Sequence, residues 1–261
     1  MIRIAVVQTK PEFGKVRENV AAGIELIEST EADLYVLPEL FNTGYNFINR
    51  EEAESLAEPA EGETFQGLCD VARRKSCHIV YGFPEMDGKL YNSALLVGPG
   101  GRMGLYRKIH LYYRETLFFE PGNLGFPVVD LPWGKLGIMI CFDWIFPESA
   151  RTLALKGALI IAHPSNLVLP HCPDAMVTRC LENRVFAATA NRVGVENRGG
   201  LTLRYTGNSE VVSPRGEVLF RMGAEETAIQ TVEIDPNDAT SKKLNEYNDI
   251  LSDRRVAEYQ K

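Results

Sequence analysis

Cys141 stands at a point in the sequence where a thiol can act as a nucleophile. An apolar run of strand length, residues 135–140 (KLGIMI), leads directly to it, and the segment FDWIFPES that follows indicates a turn into a helix. In open α/β folds, ligands bind in the crevice beyond the carboxyl ends of the strands, so this placement favours a nucleophilic cysteine. The alternative is an inert core thiol, because free cysteine is among the most buried residue types.

Two further side chains with useful chemistry also follow predicted strands. Glu39 comes after the buried run 33–37 (DLYVL) and a proline, where partial desolvation raises the pKa of a carboxylate toward that of a usable base. Lys108 closes the strand 103–108, where its cation can stabilise an oxyanion and favour the thiolate form of a nearby cysteine. The alternatives are a helix cap or surface salt bridge for Glu39 and a solvated edge charge for Lys108. Spacing alone does not establish that these side chains meet Cys141.

The elements that must position these residues alternate between short apolar strands and segments of helical periodicity. This alternation indicates an α/β fold. Hairpins predicted across residues 98–101 and 214–216, together with crossover helices, imply mixed sheets with helices on one face and another layer on the other. No linker of low complexity divides the chain, so residues 1–261 are predicted to form one domain, in which the polar residues 235–261 form an arm with a terminal helix. Helices are predicted at residues 16–29, 62–75, 147–156 and 174–184.

The composition argues against several classes of function. The net charge is −7 with a pI near 5.3 and the basic residues are dispersed, so the chain has no electrostatic footprint for nucleic acid. No apolar stretch approaches membrane-spanning length, and the N-terminal run is too short for a signal peptide. Five cysteines without a CxxC pair or regular spacing indicate a reduced, cytoplasmic protein.

Metal chemistry is the rival explanation for some of the polar residues. His163, His171 and Cys172 have side chains that suit zinc, but their spacing matches no usual ligand pattern. We therefore expect no metal and no cofactor, and we expect His163 to orient backbone or pocket residues.

Three motifs, in one order, carry a family resemblance along nearly the whole chain. They are LPELFNTGY around Glu39, YRKIHLYYRE around Lys108 and ICFDWIFPESAR around Cys141. With these motifs the chain resembles the carbon-nitrogen hydrolases of the nitrilase superfamily, and most of all the compact single-domain amidases and nitrilases of microbial, including archaeal, origin. The resemblance implies an αββα sandwich of two mixed sheets flanked by helices, which pairs with a second copy into an αββα:αββα assembly.

The resemblance also implies a role for each matched residue. Glu39 would be the general base, Lys108 the charge stabiliser and Cys141 the nucleophile. Glu115 matches the family's second glutamate, which would orient the substrate amide and the lysine; a structural salt bridge is the alternative. With the backbone N–H of Phe142 as a second oxyanion donor, the implied reaction forms a thioester on the cysteine, releases ammonia and then hydrolyses the thioester.

The pocket predicted beside the nucleophile is aromatic and uncharged. Family members that bind a substrate carboxylate carry an arginine just after the cysteine, whereas this chain has Trp144 and Ile145. The preferred substrate is therefore a small neutral aliphatic or aromatic amide; small nitriles or dinitriles are the first alternative, and a thiol-sensing or scaffold protein is the second. For the aromatic residues, ordinary core packing is the alternative role. The residues predicted to bind substrate are Tyr45, Tyr113, Phe118, Phe142, Trp144 and Asn166.

The family resemblance further implies at least a homodimer. The helix in FPESARTLALKG and the helix in DAMVTRCLENRVF have apolar faces beyond the needs of one layer, and family members pair through equivalent helices. The C-terminal segment with Arg254, Arg255 and Tyr259 is predicted to cross to the partner subunit.

Overall fold

A computed structural model of the protein describes residues 1–259 and contains two six-stranded mixed sheets and a separate hairpin. The first sheet comprises β1 (Ile2–Gln8), β2 (Leu34–Val36), β3 (His78–Asp87), β4 (Lys89–Gly98), β5 (Gly101–Arg107) and β14 (Ala228–Ile234). Its strand order is β14-β1-β2-β3-β4-β5, in which β1, β2 and β3 are parallel and the other neighbours are antiparallel.

The second sheet repeats this plan with a parallel centre and antiparallel edges. It comprises β6 (Val128–Leu131), β7 (Gly134–Ile138), β8 (Ile160–Pro164), β9 (Phe186–Ala190), β12 (Glu210–Val212) and β13 (Val218–Arg221). Its order is β13-β12-β9-β8-β7-β6, and β7, β8 and β9 are parallel. The hairpin, β10 (Val193–Arg198) and β11 (Leu201–Thr206), joins neither sheet.

Helices cover the outer faces of the two sheets. The α-helices are α1 (Val16–Glu28), α2 (Arg50–Leu56), α3 (Glu63–Lys75), α4 (Pro147–Leu155) and α5 (Cys172–Asn183). In the first sheet, α1 contacts β1 and α3 contacts β3 and β4; in the second sheet, α4 contacts β7, and α5 contacts β9 and β12. Since β1 contacts β9, and β2 and β3 contact β8, the inner faces of the sheets pack together. The protein is a four-layer αββα sandwich, which confirms the predicted fold class.

The central strands are mainly apolar, and both of their faces are buried. In β1, Ile4 and Val6 belong to the core between the sheets, whereas Ala5 and Val7 belong to the core beneath α1 and α3. All four are fully buried. Parallel strands covered on both faces lose the apolar–polar alternation of a half-exposed strand.

The residues with candidate chemistry follow strands that end at one edge of the sandwich. Glu39 follows β2, Lys108 follows β5 and Cys141 follows β7. The two antiparallel steps through β4 return β5 to the direction of β3 and β2. The Nδ2 of Asn166, just after β8, donates to the backbone oxygen of Glu39 at 2.8 Å, so the corresponding edges of the two sheets meet.

The polar C-terminal arm folds back on its own chain within the described residues. Lys242 Nζ donates to the backbone oxygens of Asn183 and Arg184 at 3.2 and 2.7 Å, at the end of α5. The helix expected in residues 235–261 is wrong for the described part, which contains only 3-10 turns at Pro236–Ala239 and Val256–Glu258. Gln260 and Lys261 lie outside the described residues.

Two further features bear on the sequence expectations. All five cysteines are buried, and none forms a disulfide. In residues 1–259, no helix has both the length and the apolar character needed to cross a membrane.

Candidate active site

Lys108 lies between two carboxylates at the edge where the sheets meet. Its Nζ donates to Glu39 Oε1 and to Glu115 Oε1, in both cases at 2.7 Å. All three side chains are almost completely excluded from solvent. The structure therefore brings together the lysine and both glutamates that the sequence motifs singled out.

Glu39 is fixed by contacts from both sheets. Asn92 Nδ2, on β4, donates to Glu39 Oε1 at 2.7 Å, and Asn166 holds the backbone oxygen of Glu39. The backbone also packs against β3 at Gly82, where a Cβ atom would lie 2.5 Å from Glu39 Cα. The second carboxylate oxygen, Oε2, is buried and has no hydrogen-bond partner within residues 1–259.

Lys108 is held through its backbone by two neighbouring segments. Its N–H donates to the backbone oxygen of Asn92 at 2.8 Å, and its own oxygen accepts from Gly122 N at 2.8 Å. A Cβ atom on Gly122 would lie 1.9 Å from the backbone oxygen of Arg107, so only glycine fits at this contact. The FFEPG segment that ends in this glycine thus fixes the exit of β5.

Glu115 is buried beneath the loop that follows Glu39. The hydroxyl of Tyr45 donates to Glu115 Oε1 at 2.5 Å, while Glu115 Oε2 is buried without a partner in the described part of the chain. Burial raises the pKa of Glu115, Lys108 opposes the increase and Glu39 adds to it, with the result that the pKa rises from 4.5 to about 7. Burial lowers the pKa of Lys108, but the two carboxylates outweigh burial and the net direction is upward, so the lysine stays charged.

Cys141 begins a 3-10 helix, Cys141–Ile145, with a backbone φ of 42°. This left-handed conformation is unfavourable for a side chain with a Cβ atom and is typical of functional sites. The Cys141 backbone oxygen lies 3.0 Å from His163 Nε2, which must be the donor because a carbonyl oxygen only accepts. Burial lowers the pKa of His163 to about 4, so the imidazole is neutral and holds the turn through this hydrogen bond. His163 thus orients backbone at the site, as expected.

A buried aspartate closes the same turn from the other side. Asp143 Oδ2 accepts from Ile140 N at 2.8 Å and from the hydroxyl of Tyr106 at 2.6 Å. Its Oδ1 lies 2.8 Å from His110 Nδ1. The carboxylate therefore ties the turn after β7, which carries Cys141, to the end of β5, which leads to Lys108.

The resting state of Cys141 differs from the expectation that Lys108 favours the thiolate. Lys108 does lower the pKa of the thiol, but burial and the Glu39 carboxylate raise it by more, so the net direction is upward. The backbone N–H of Asn166 also lies close enough to lower the pKa. The cysteine is accordingly a neutral thiol that needs a base to remove its proton.

A small cavity of about 80 Å³ opens beside Cys141. Among the predicted substrate-binding residues, Phe142, Trp144 and Asn166 line it. The remaining wall is mainly apolar and contains no carboxylate, lysine or arginine. The other lining residues are Tyr112, Ile145, Leu167, Val168, Leu169 and His171.

The three other predicted substrate-binding residues do not line this cavity. Tyr45 instead contacts Glu115, because its hydroxyl donates to Glu115 Oε1. Phe118 is buried and packs against Phe47, which is the core-packing alternative. Tyr113 is 63% exposed, and its neighbour Tyr112 lines the cavity in its place.

Residues 1–259 contain no group of three or more histidine, cysteine, aspartate or glutamate side chains arranged to hold a metal ion. The chemistry available at the edge of the sheets is that of a thiol, two carboxylates and an ammonium group.

Comparisons with known proteins identify the family of the chain and proteins of the same fold. The carbon-nitrogen hydrolase family model matches residues 3–243. A nitrilase of Pyrococcus abyssi is 52% identical over 264 residues, which cover 99% of each protein. The solved carbon-nitrogen hydrolase from Helicobacter pylori G27 has a TM-score of 0.88 at 27% identity, over 99% of this chain and 97% of that one.

A second solved structure bears on the nucleophile. It is an amidase variant from Nesterenkonia sp. AN1 with a TM-score of 0.80 at 27% identity, over 98% of each chain. In that protein, acrylamide has added to the active-site cysteine.

Proposed function

We propose that this chain, which belongs to the carbon-nitrogen hydrolase family, is an amidase that converts small neutral amides to acid and ammonia through a thioester on Cys141. One observation carries the proposal. Glu39 and Glu115 each use one oxygen to bind Lys108 and keep the other oxygen buried without a partner in the described chain, close to a buried thiol. Buried acceptors of this kind require hydrogen-bond donors, and a substrate amide supplies them.

The first half of the proposed reaction acylates the cysteine. Glu39 takes the proton of the Cys141 thiol, and the thiolate attacks the amide carbon. Lys108 and the backbone N–H of Phe142 stabilise the oxyanion; the latter is one of the first N–H groups of the 3-10 helix, which have no partner within the helix. The carbon–nitrogen bond breaks as Glu39 returns the proton to the leaving nitrogen, and ammonia departs.

The second half of the reaction releases the acid. Water enters the position that ammonia has left, and Glu39 takes one of its protons. The hydroxide attacks the thioester carbon, the carbon–sulfur bond breaks, and the sulfur of Cys141 recovers the proton. Glu115 remains in place throughout as the residue that orients Lys108 and the substrate nitrogen.

The unpartnered acceptors favour an amide over a nitrile. An amide NH2 group donates two hydrogen bonds, whereas a nitrile nitrogen donates none. Three buried acceptor atoms near the thiol lack a partner within residues 1–259: Glu39 Oε2, Glu115 Oε2 and Asn166 Oδ1. A bound amide satisfies up to two of these three atoms and a bound nitrile satisfies none, and each unsatisfied buried acceptor costs about 1–3 kcal/mol.

The apolar wall of the cavity favours a small uncharged acyl group. Trp144 and Phe142 present aromatic surface, and no arginine or lysine lines the cavity to bind a substrate carboxylate. Aliphatic and aromatic acyl groups of small size meet this description.

A nitrile substrate is the second candidate function. It is favoured by the relative that is 52% identical and is named a nitrilase. The same thiol, base and oxyanion donors serve both reactions, because attack on a nitrile also produces an intermediate on sulfur that water resolves.

Ammonia release from a panel of matched amides and nitriles distinguishes the two candidates. We expect a higher kcat/KM for each small neutral amide than for the corresponding nitrile, no release by Cys141→Ala, and normal release by the matched control Cys180→Ala, a buried thiol on α5. Faster acid production from nitriles than from the matching amides would replace the amidase proposal with the nitrilase alternative. Undiminished release by Cys141→Ala would remove both.

A further inference from the structure

The hairpin β10–β11 is hydrogen-bonded to the loop that carries Tyr45. Asn46 Nδ2 donates to the backbone oxygen of Leu201 at 2.9 Å, and Arg198 Nη1 donates to the backbone oxygen of Asn46 at 3.1 Å. The hairpin belongs to neither sheet, so its contribution to the site comes through contacts of this kind.

Glu196, on β10, is at the centre of this contact and is buried. Its Oε2 accepts from Asn46 N at 2.8 Å and from the hydroxyl of Tyr205 at 2.9 Å. Its Oε1 accepts from Arg192 Nη1 at 2.6 Å, and both oxygens lie 3.3 Å from Tyr45 N. Every one of these partners is a hydrogen-bond donor, and a carboxylate is the side-chain group that accepts at both of its oxygens.

The loop that carries Tyr45 packs closely against the Glu196 carboxylate. A Cβ atom on Gly44 would lie 2.7 Å from Glu196 Oε1, and Gly44 has a φ of 84° that favours glycine. The close approach lets two successive backbone N–H groups, those of Tyr45 and Asn46, point at Glu196.

The position of Tyr45 matters because its hydroxyl is, with Lys108, a hydrogen-bond donor to the Glu115 carboxylate. It donates to the same oxygen, Oε1, that binds the lysine. A hydrogen bond to an ionised carboxylate favours the ionised form, so displacement of Tyr45 changes both the orientation and the titration of Glu115.

We infer that Glu196 is a positioning residue for the reaction: it fixes the backbone of Tyr45 and thereby holds the Tyr45 hydroxyl on Glu115. The inference rests on the proposed role of Glu115. It gives the hairpin β10–β11 a function in the site, which the hairpin exerts through the loop that carries Tyr45.

The test replaces the carboxylate by an amide of the same shape. In Glu196→Gln one acceptor oxygen becomes an NH2 group that faces other donors, so the loop moves away from the hairpin. We expect kcat to fall by about tenfold, with little change in KM, because a small misplacement of an orienting group acts on the reaction step. A weaker hydrogen bond from the Tyr45 hydroxyl also raises the pKa of Glu115. The increase of activity with pH should therefore occur at a higher pH than in the wild-type enzyme.

Two comparisons separate this role from general destabilisation. Glu210→Gln is the matched control, because Glu210 is also a buried strand carboxylate paired with an arginine, Arg221, at 2.8 Å. It should leave both kcat and the pH profile as in the wild type. In a Tyr45→Phe background, which lacks the hydroxyl, Glu196→Gln should produce no further shift of the pH profile.

The outcomes are distinct from those that test the amidase proposal. If the wild-type enzyme works through Cys141 but Glu196→Gln leaves kcat and the pH profile unchanged, only the inference about Glu196 is overturned. An equal shift in the wild-type and Tyr45→Phe backgrounds also overturns it. If Glu196→Gln does not fold, Gly44→Ala displaces the loop from the same carboxylate, and unchanged kinetics in that variant contradict the inference.

Discussion

At the scale of single residues, the buried cluster contains two carboxylates for one ammonium group. Lys108 binds one oxygen of Glu39 and one of Glu115 at equal distances. A buried charge persists only where it is paired, and the second carboxylate in such a cluster ionises with difficulty. Burial raises the pKa of Glu115 to about 7 and raises the pKa of the Cys141 thiol, and in both cases the Glu39 carboxylate adds to the increase. In the proposed mechanism, the Cys141 thiol is therefore activated by a base when the substrate is bound, and not as a preformed thiolate.

The titration of Glu115 leads to a prediction about pH. Below pH 7 the carboxyl group is protonated and loses an acceptor for the substrate nitrogen; above pH 7 it is ionised and accepts. We expect kcat/KM to rise with pH with an apparent pKa near 7, which belongs to the coupled cluster. In Glu115→Gln the overall rate should fall and this rise near pH 7 should disappear, as measured by ammonia release between pH 5 and 9. Retention of the same rise in that variant would assign the titration to another group.

At the scale of elements, glycines let strands and loops approach closely enough to assemble the cluster. Gly82 allows β3 to pack on the backbone of Glu39, and Gly122 allows the loop after the FFEP segment to pack on Arg107. Neither contact has room for a Cβ atom. The functional side chains are thus placed by backbone contacts that carry no chemistry of their own.

The variant Gly82→Ala tests this placement. Its Cβ would lie 2.5 Å from Glu39 Cα and 2.7 Å from Leu40 N, so the strand and the loop must separate. We expect kcat/KM to fall by about a hundredfold from misplacement of the base, and the free energy of unfolding to fall by about 1–3 kcal/mol from overpacking. The matched control is Gly100→Ala in the β4–β5 turn, where a Cβ would meet nothing within 4 Å. Equal activity of Gly82→Ala and the control would show that the base does not depend on this contact.

The sequence predicts the fold and the residues of the site that follow strands. It does not predict the contacts that hold these residues in place. The runs before Glu39 and Cys141 are apolar strands of a sheet buried on both faces, and the end of such a strand is where α/β proteins place ligands. The hairpin β10–β11 was not predicted, and the functional meaning of Gly82 and Tyr45 depends on distant partners that local patterns do not identify. Selection of Tyr113 over Tyr112 is the same kind of error, because the sequence does not reveal which of these two neighbours lines the cavity.

At the scale of the whole molecule, the outer faces of α4 and α5 carry exposed apolar side chains. Leu155 is 45% exposed and Leu181 is 48% exposed, although both lie on helices whose other sides are buried in the core. Apolar surface of this kind is typical of protein interfaces. We therefore propose that the chain forms a homodimer through these helices; the crossing of the C-terminal arm to the partner stays a prediction, since the described part of the arm contacts its own α5.

The double variant Leu155→Glu, Leu181→Glu tests the dimer. Two carboxylates on the proposed contact face would have to be desolvated without partners, so we expect light scattering to give a molecular mass near the 29.1 kDa of one chain, against twice that mass for the wild type. Met103→Glu, an equally apolar-to-charged change on β5 of the first sheet, is the control and should leave the mass unchanged. A wild-type protein that is already monomeric would contradict the proposal.

The central claim is that acyl transfer passes through the sulfur of Cys141, and the most direct measurement is mass spectrometry of enzyme quenched with acid during turnover of a small amide. We predict a peptide containing Cys141 whose mass is increased by the acyl group, with the increase removed by hydroxylamine. The modified peptide should be absent in Cys141→Ala and unchanged in Cys180→Ala. The account would be contradicted if ammonia were released at the full rate while the Cys141 peptide stayed unmodified at every quench time. In that case the acyl group would be absent from the protein or attached to another residue.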